Sequence, residues 1–176
     1  MVRRLLPLAL ALAGPAGCAS VAPPPAPARI AMAYAEAGRY AEAAREIELA
    51  VRAQPEDVAL RRQAAAIQAE AGDLTRAVDH LEVAIRLAPS DPEGWIALGE
   101  LETRRHNPPD AYVAFRRASA LAPEDVRAVS GLAISADSLG FDEEADRAYA
   151  RWAALERERG SEAPERGSAT PQPKRP

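Results

Sequence analysis

The chain has 176 residues, the length of one domain with room for tails. It is 48% hydrophobic, much of that Ala, and only 5% aromatic, which points to closely packed helices and away from a β-sandwich. A net charge of −4 disfavours a basic nucleic-acid binder, the single Cys excludes an intramolecular disulfide or a Cys-based zinc cluster, and two His, at 80 and 106, leave little for a metal site.

The chain opens on a basic start, Met1 to Arg4. A short apolar run, Leu5 to Ala13, follows, broken by Pro7, and then small residues lead to Cys18. Nine residues make roughly 13 Å of helix, well short of a bilayer core of about 30 Å, so residues 1–17 read as an export signal and not as a membrane span. A buried first helix fits poorly because Pro7 and Pro15 interrupt it. Small residues followed by Cys at the end of a short apolar run resemble the lipobox of bacterial lipoproteins, with Pro15 standing where that family usually carries Leu. The resemblance implies cleavage before Cys18, a diacylglyceryl group on its sulfur and an anchor in one leaflet, each buried CH₂ contributing roughly 0.8 kcal/mol. Ala19, not Asp, follows the Cys, which in Gram-negative lipoproteins implies the outer membrane. A secreted protein cut after Ala13, with Cys18 a free thiol, is the alternative reading. Residues 18–27 are the lipidation site and a Pro-rich spacer, stiff and extended, that would hold the domain off the membrane.

From residue 28 to 158 the chain repeats every 34 residues. Pro55, Pro89 and Pro123 keep that step, as do Ala43, Ala77, Ala111 and Ala145. So do Ile47, Leu81, Phe115 and Tyr149; Ala50, Ala84 and Ala118; and Gly38, Gly72 and Gly140. The predicted helices are 28–37 and 41–53, 56–71 and 74–87, 91–105 and 109–121, and 124–138 and 142–157. Gly38, Gly72 and Gly140 turn the chain within each pair, and the prolines stop each second helix. Ser90-Asp91-Pro92-Glu93 reads as a capped start with a capping-box Glu. In the third unit His106-Asn107-Pro108-Pro109 replaces the glycine turn, with Asn107 available as a cap. Trp152 stands where other units have Ala and reads as a cover over the open end of the stack. Residues 159–176, rich in Gly, Ser, Pro and charge, read as a disordered tail.

The 34-residue period and these residue types resemble the tetratricopeptide repeat. Unit three matches best through Trp95, Leu98, Gly99, Ala111, Phe115, Ala118 and Pro123. Unit two carries Arg61 in place of the opening aromatic, and unit four Val129. The resemblance implies an all-α, right-handed superhelical solenoid of about four helical hairpins, whose first helices line a concave face that binds another protein.

No catalytic set, phosphate loop or metal cluster emerges, so no enzymatic activity and no cofactor are expected. His80 reads as lying mid-helix on a solvated face and His106 in a turn. Carboxylates near arginines, such as Glu42 with Arg45 or Glu82 with Arg86, read as surface pairs. Projecting the register onto the concave face selects Met32, Arg62, Ile96, Glu100, Arg104, Ile134 and Asp137 as partner-binding candidates. Met32, Ile96 and Ile134 would make the apolar contacts; Arg62, Glu100, Arg104 and Asp137 would orient an extended or helical peptide. Repeat domains that clamp the carboxylate tail of cytosolic chaperones use Lys, Asn and Arg on this face; here the matching places hold Ala28, Met32, Gln63, Glu93 and Ala97. The whole pattern is similar to small repeat lipoproteins that assist pilus and secretin assembly. It implies an outer-membrane lipoprotein facing the periplasm, bound to another envelope protein and to the membrane through Cys18, with no nucleic acid and no small-molecule substrate. A scaffold for cell-wall enzymes and a soluble secreted adaptor are the rival readings.

Overall fold

The structure, a computed structural model, describes residues 26–160. The signal region, Cys18, most of the Pro-rich spacer and residues 161–176 lie outside the described residues. Among the described residues eight helices follow one another: α1 (Ala26–Glu36), α2 (Tyr40–Ala53), α3 (Val58–Glu70), α4 (Leu74–Leu87), α5 (Pro92–Arg104), α6 (Pro108–Leu121), α7 (Val126–Ser138) and α8 (Asp142–Glu158). Each odd helix packs on the even helix after it, and each even helix on the next odd one, so four hairpins stack in chain order. This is an all-α solenoid of the tetratricopeptide type. Its first helix begins inside the segment read as spacer, at Ala26 with Pro27 in its opening turn, where a missing N–H costs nothing.

Local chemistry sets the helix ends. Asp57, Asp73, Asp91 and Asp125 each sit just before a helix and accept a hydrogen bond from a backbone N–H of its first turn, at 2.8–3.2 Å. The cap of α5 is Asp91 and not Ser90, so Glu93 stands one place too early for a capping box and its carboxylate is free to cross to α7. Asn107 precedes α6 but does not cap it. Its amide Nδ2 instead donates to Glu102 at 2.9 Å and Asp110 at 2.6 Å, and Pro108 and Pro109 have no N–H for its oxygen to cap. Within hairpins the left-handed turn residue is Gly38, Gly72 or Gly140; in unit three it is His106, at φ 56°. Each second helix ends when Gln54, Ala88 or Ala122 bonds back to Ala50, Ala84 or Ala118, one residue before the boundary proline.

The proline carbonyls are each met by a side-chain donor. Trp95 Nε1 donates to Pro89 O at 3.0 Å, and Arg61 Nε donates to Pro55 O at the same distance. The arginine of unit two therefore makes the same bond as the tryptophan of unit three. Val129 has no donor to offer, and Arg151 of α8 reaches Pro123 O instead, at 3.4 Å.

Small and large residues alternate through the core as the 34-residue period predicts. Ala43, Ala77, Ala111 and Ala145 are buried, and Ile47, Leu81, Phe115 and Tyr149 fill the space they leave. Phe115 is the largest of these in the middle of the stack, and it lies between Gly99 of α5 and Gly131 of α7. A Cβ would sit 2.8 Å from its ring at Gly99 and closer still at Gly131. At the C-terminal end Trp152 stacks on Tyr149, ring centroids 6.0 Å apart, and packs on the last core cluster. It is a partial cover for that cluster, as its position predicts.

Candidate concave interaction site

Across units, α3 touches α5 and α5 touches α7, so the first helices of the hairpins form the inner face of the curve. Three clefts follow one another along it. The first, about 260 Å³ between α1 and α3, is lined by Met32, Glu36 and Gln63 among others. The second, about 200 Å³ between α3 and α5, is lined by Arg62, Ala66, Glu70, Glu100 and Arg104. The third is the largest and most apolar, about 560 Å³, and reaches from Glu100 and Arg104 over Phe115 to Ile134 and Ser138.

Five of the seven residues projected onto this face line it: Met32, Arg62, Glu100, Arg104 and Ile134. Ile96 does not. It is fully buried against Ala118 and Ala128, in the core between α5, α6 and α7. Residues 28, 62, 96 and 130 share one register position, and that position lies on the border of core and groove. Ala28 and Ile96 sink inward there, while the long stem of Arg62 carries its charge out. Asp137 is half-buried on α7 beside the third cleft, with Ser138 rather than Asp137 lining it.

The charges of the groove are largely paired across units. Arg104 meets Glu70 at 2.9 Å and also donates to Ala69 O at 3.1 Å. Arg127 binds Glu93 and, at 3.2 Å, Asp125. Arg62 faces Asp91 at 3.4 Å, with its Nε buried and unpartnered. Two of these pairs join identical positions of neighbouring units, 70 with 104 and 93 with 127. Among the described residues no hydrogen bond or ion pair engages Glu100. Burial holds its carboxyl above the usual carboxylate range; the neighbouring Glu93 and Asp125 carboxylates act the same way, and Arg127 opposes them.

Hydroxyls in the third cleft are turned onto their own helices. Thr103 donates to Gly99 O at 2.8 Å, Ser135 to Gly131 O at 2.7 Å, Ser138 to Ile134 O at 2.8 Å and Ser130 to Arg127 O at 3.3 Å. Their donors are spent, so toward the groove they present lone pairs.

His80 is not on a solvated face. It is buried on the outer side between α2, α3 and α4, its Nε2 at 2.9 Å from Glu48 and its Nδ1 at 3.4 Å from the Arg61 guanidinium. Arginine has only donors, so Nδ1 is the acceptor and Nε2–H donates to Glu48. Gln68, also buried, donates to the same Glu48 oxygen at 2.9 Å. Burial alone would raise the Glu48 carboxyl; hydrogen bonds from His80 and Gln68 and the nearby charges outweigh it and hold Glu48 below its ordinary value. His106 is exposed in its turn, at the edge of the third cleft. Glu42 pairs with Arg39 at 2.8 Å and not with Arg45, while Glu82 and Arg86 meet at 3.9 Å. Among the described residues no group of three His, Cys, Asp or Glu could hold a metal ion, and no helix is long and apolar enough to cross a membrane.

The sequence model described as tetratricopeptide repeat matches residues 58–101, which span α3, α4 and most of α5. No curated protein sequence matches the chain. Among solved structures, a crystal structure of MamA superposes with a TM-score of 0.69 at 21% identity, over 74% of this chain and 72% of that one. MamA from Desulfovibrio magneticus RS-1, residues 41 to its end, gives 0.68 at 19%, over 77% and 76%. The first tetratricopeptide domain of Spaghetti (RPAP3), bound to an HSP90 peptide, gives 0.60 at 18%, over 65% of this chain and 90% of that one. These likenesses establish the fold.

Proposed function

We propose that this tetratricopeptide-repeat solenoid binds a segment of another bacterial envelope protein in its concave groove, is held at the membrane by lipid on Cys18, and assists assembly of a pilus or secretion complex. The observation that carries the binding role is the run of three clefts along α1, α3, α5 and α7, continuous in register and lined by five of the residues the repeat singles out. The RPAP3 domain, which holds a peptide, shares the fold and supports a peptide as the ligand type. Acidic chaperone tails are not that ligand, because Ala28, Met32, Gln63, Glu93 and Ala97 stand where their clamp would need Lys, Asn and Arg. The chain acts by binding and not by catalysis. Support for the envelope address is the basic, apolar and small-residue sequence that ends at Cys18.

The test is capture of partners by the tagged full-length chain from detergent-solubilised envelopes, with mass spectrometry, beside a Met32→Asp/Ile134→Asp variant. Ile96 is unsuitable for this purpose because it is core. A secretin or pilus component lost in the variant, with helical circular dichroism retained, is the expected result. Cell-wall enzymes captured equally by both proteins, and lost on deleting residues 160–176, would instead make the chain a scaffold working outside the groove. Cys18→Ala is expected to leave the membrane fraction or to stay uncleaved; unchanged fractionation would remove the lipid anchor from the reading.

A further inference from the structure

Residues 32, 66, 100 and 134 share one register position on α1, α3, α5 and α7, and all four line the groove. Read along the stack, this line is Met32, Ala66, Glu100, Ile134: apolar, small, acidic, apolar. Glu100 is its only charge, and it stands where the second and third clefts meet.

Among the described residues no cation is hydrogen-bonded or ion-paired to Glu100, and Arg127 acts on it only at longer range. Arg62, Arg104 and Arg127 face Asp91, Glu70 and Glu93 respectively, and Arg127 also serves Asp125. The hydroxyls beyond it, on Thr103, Ser130, Ser135 and Ser138, spend their protons on backbone carbonyls. Carboxylates outnumber guanidinium groups along this stretch, and its hydroxyls present acceptors. A carboxylate set where two clefts meet, without a hydrogen-bonded counter-ion, is open to an incoming cation. A second carboxylate placed there would meet the charges of Glu93, Glu100 and Asp125, while the nearest guanidinium groups, Arg104 and Arg127, are already engaged with carboxylates. Beside it the third cleft has an apolar wall from Pro108, Phe115, Gly131 and Ile134.

We propose that the partner segment is basic and apolar: an extended stretch that sets a lysine or arginine on Glu100 and a large apolar side chain against Ile134. This rests on the groove reading above and adds the chemistry of its ligand. Packed helices lie roughly 9 Å apart and an extended chain advances about 3.3 Å per residue, so the two anchors are about three positions apart.

The probe is a short fluorescein-labelled glycine–serine peptide carrying one lysine and, about three positions on in either direction, one leucine. It is titrated by anisotropy against the full-length chain in detergent, beside the same peptide with glutamate for lysine or serine for leucine. The lysine–leucine peptide is expected to bind best. Glu100→Gln weakens it by about tenfold or more. Glu100→Lys reverses the preference toward the glutamate peptide, and Ile134→Ser abolishes the advantage of leucine over serine. Equal binding of the lysine and glutamate peptides, an unchanged affinity in Glu100→Gln, or no binding of any peptide at millimolar concentration would each overturn the proposal. Partner capture separates this failure from that of the groove itself. Loss of the partner in Met32→Asp/Ile134→Asp but not in Glu100→Lys leaves the groove and overturns only its charge preference; capture indifferent to all of these substitutions overturns both.

Discussion

Gly72 and Gly131 are both required, for different physical reasons. Gly72 turns the chain at φ +89°, and a Cβ there would meet nothing within 4 Å. Gly72→Ala therefore costs backbone strain alone, about 1 kcal/mol. Gly131 lies inside α7, where Ala would ordinarily gain about 1 kcal/mol, but its missing Cβ makes room for the Phe115 ring. Gly131→Ala is expected to destabilise by about 1–3 kcal/mol through overpacking, and Phe115→Leu to relieve that cost in a double-mutant cycle while leaving the Gly72→Ala cost unchanged. Urea unfolding midpoints check both. The turn glycines are legible from their spacing alone. Gly131 is not, because nothing local to its sequence says that a ring from α6 will cross it. His106 takes the left-handed place without being glycine, and His106→Gly should raise stability by about 0.5–1 kcal/mol.

The helices themselves match the sequence reading to within two residues at either end, because prolines, capping aspartates and the alanine period all act locally. What the sequence could not place is how neighbouring elements cover a helix face. His80 looks solvated on α4 by itself; α2 and α3 enclose it, and Glu48 and Gln68 come from those helices. Ile96 fails for a related reason, since its register position is held inward by Ala118 and Ala128 of two other helices. The joint around Glu48 has a predictable pH dependence. The folded state holds Glu48 more acidic than the unfolded chain does. Its contribution is complete above the ordinary carboxylate value and is lost as pH falls through the lower folded one. Glu48→Gln should thus be less stable than the parent at neutral pH, with the difference closing below pH 4 or so; thermal unfolding across that range checks it. Glu100 has the opposite sign. Its raised carboxyl makes the folded state bind its proton more tightly, so the benefit exists at acid pH and is lost as pH rises through the folded value. Glu100→Gln is expected to stabilise the free protein slightly at neutral pH and not at acid pH, which separates its effect on folding from its effect on ligand.

At the scale of the whole molecule, stability is a sum of hairpins and of the interfaces between them. The ion pairs across the inner face, Glu70 with Arg104 and Glu93 with Arg127, are about half exposed and contribute little, about 0.2–1 kcal/mol each. Added salt should therefore lower the melting temperature only slightly, whereas removing α8 should unfold unit four by uncovering Phe115, Leu132 and Ala136. A melting curve in low and high salt, and circular dichroism of a chain ended at residue 140, check the two. The pairs matter more for order than for strength. Position 70 is acidic and its counterpart 104 basic; position 93 is acidic and its counterpart 127 basic. A second copy of unit three inserted after the first would set arginine against arginine on one rung and glutamate against glutamate on the other. Units that look interchangeable in their alanines and prolines are thus addressed by charge, and the array resists lengthening by simple duplication of its best-conforming member.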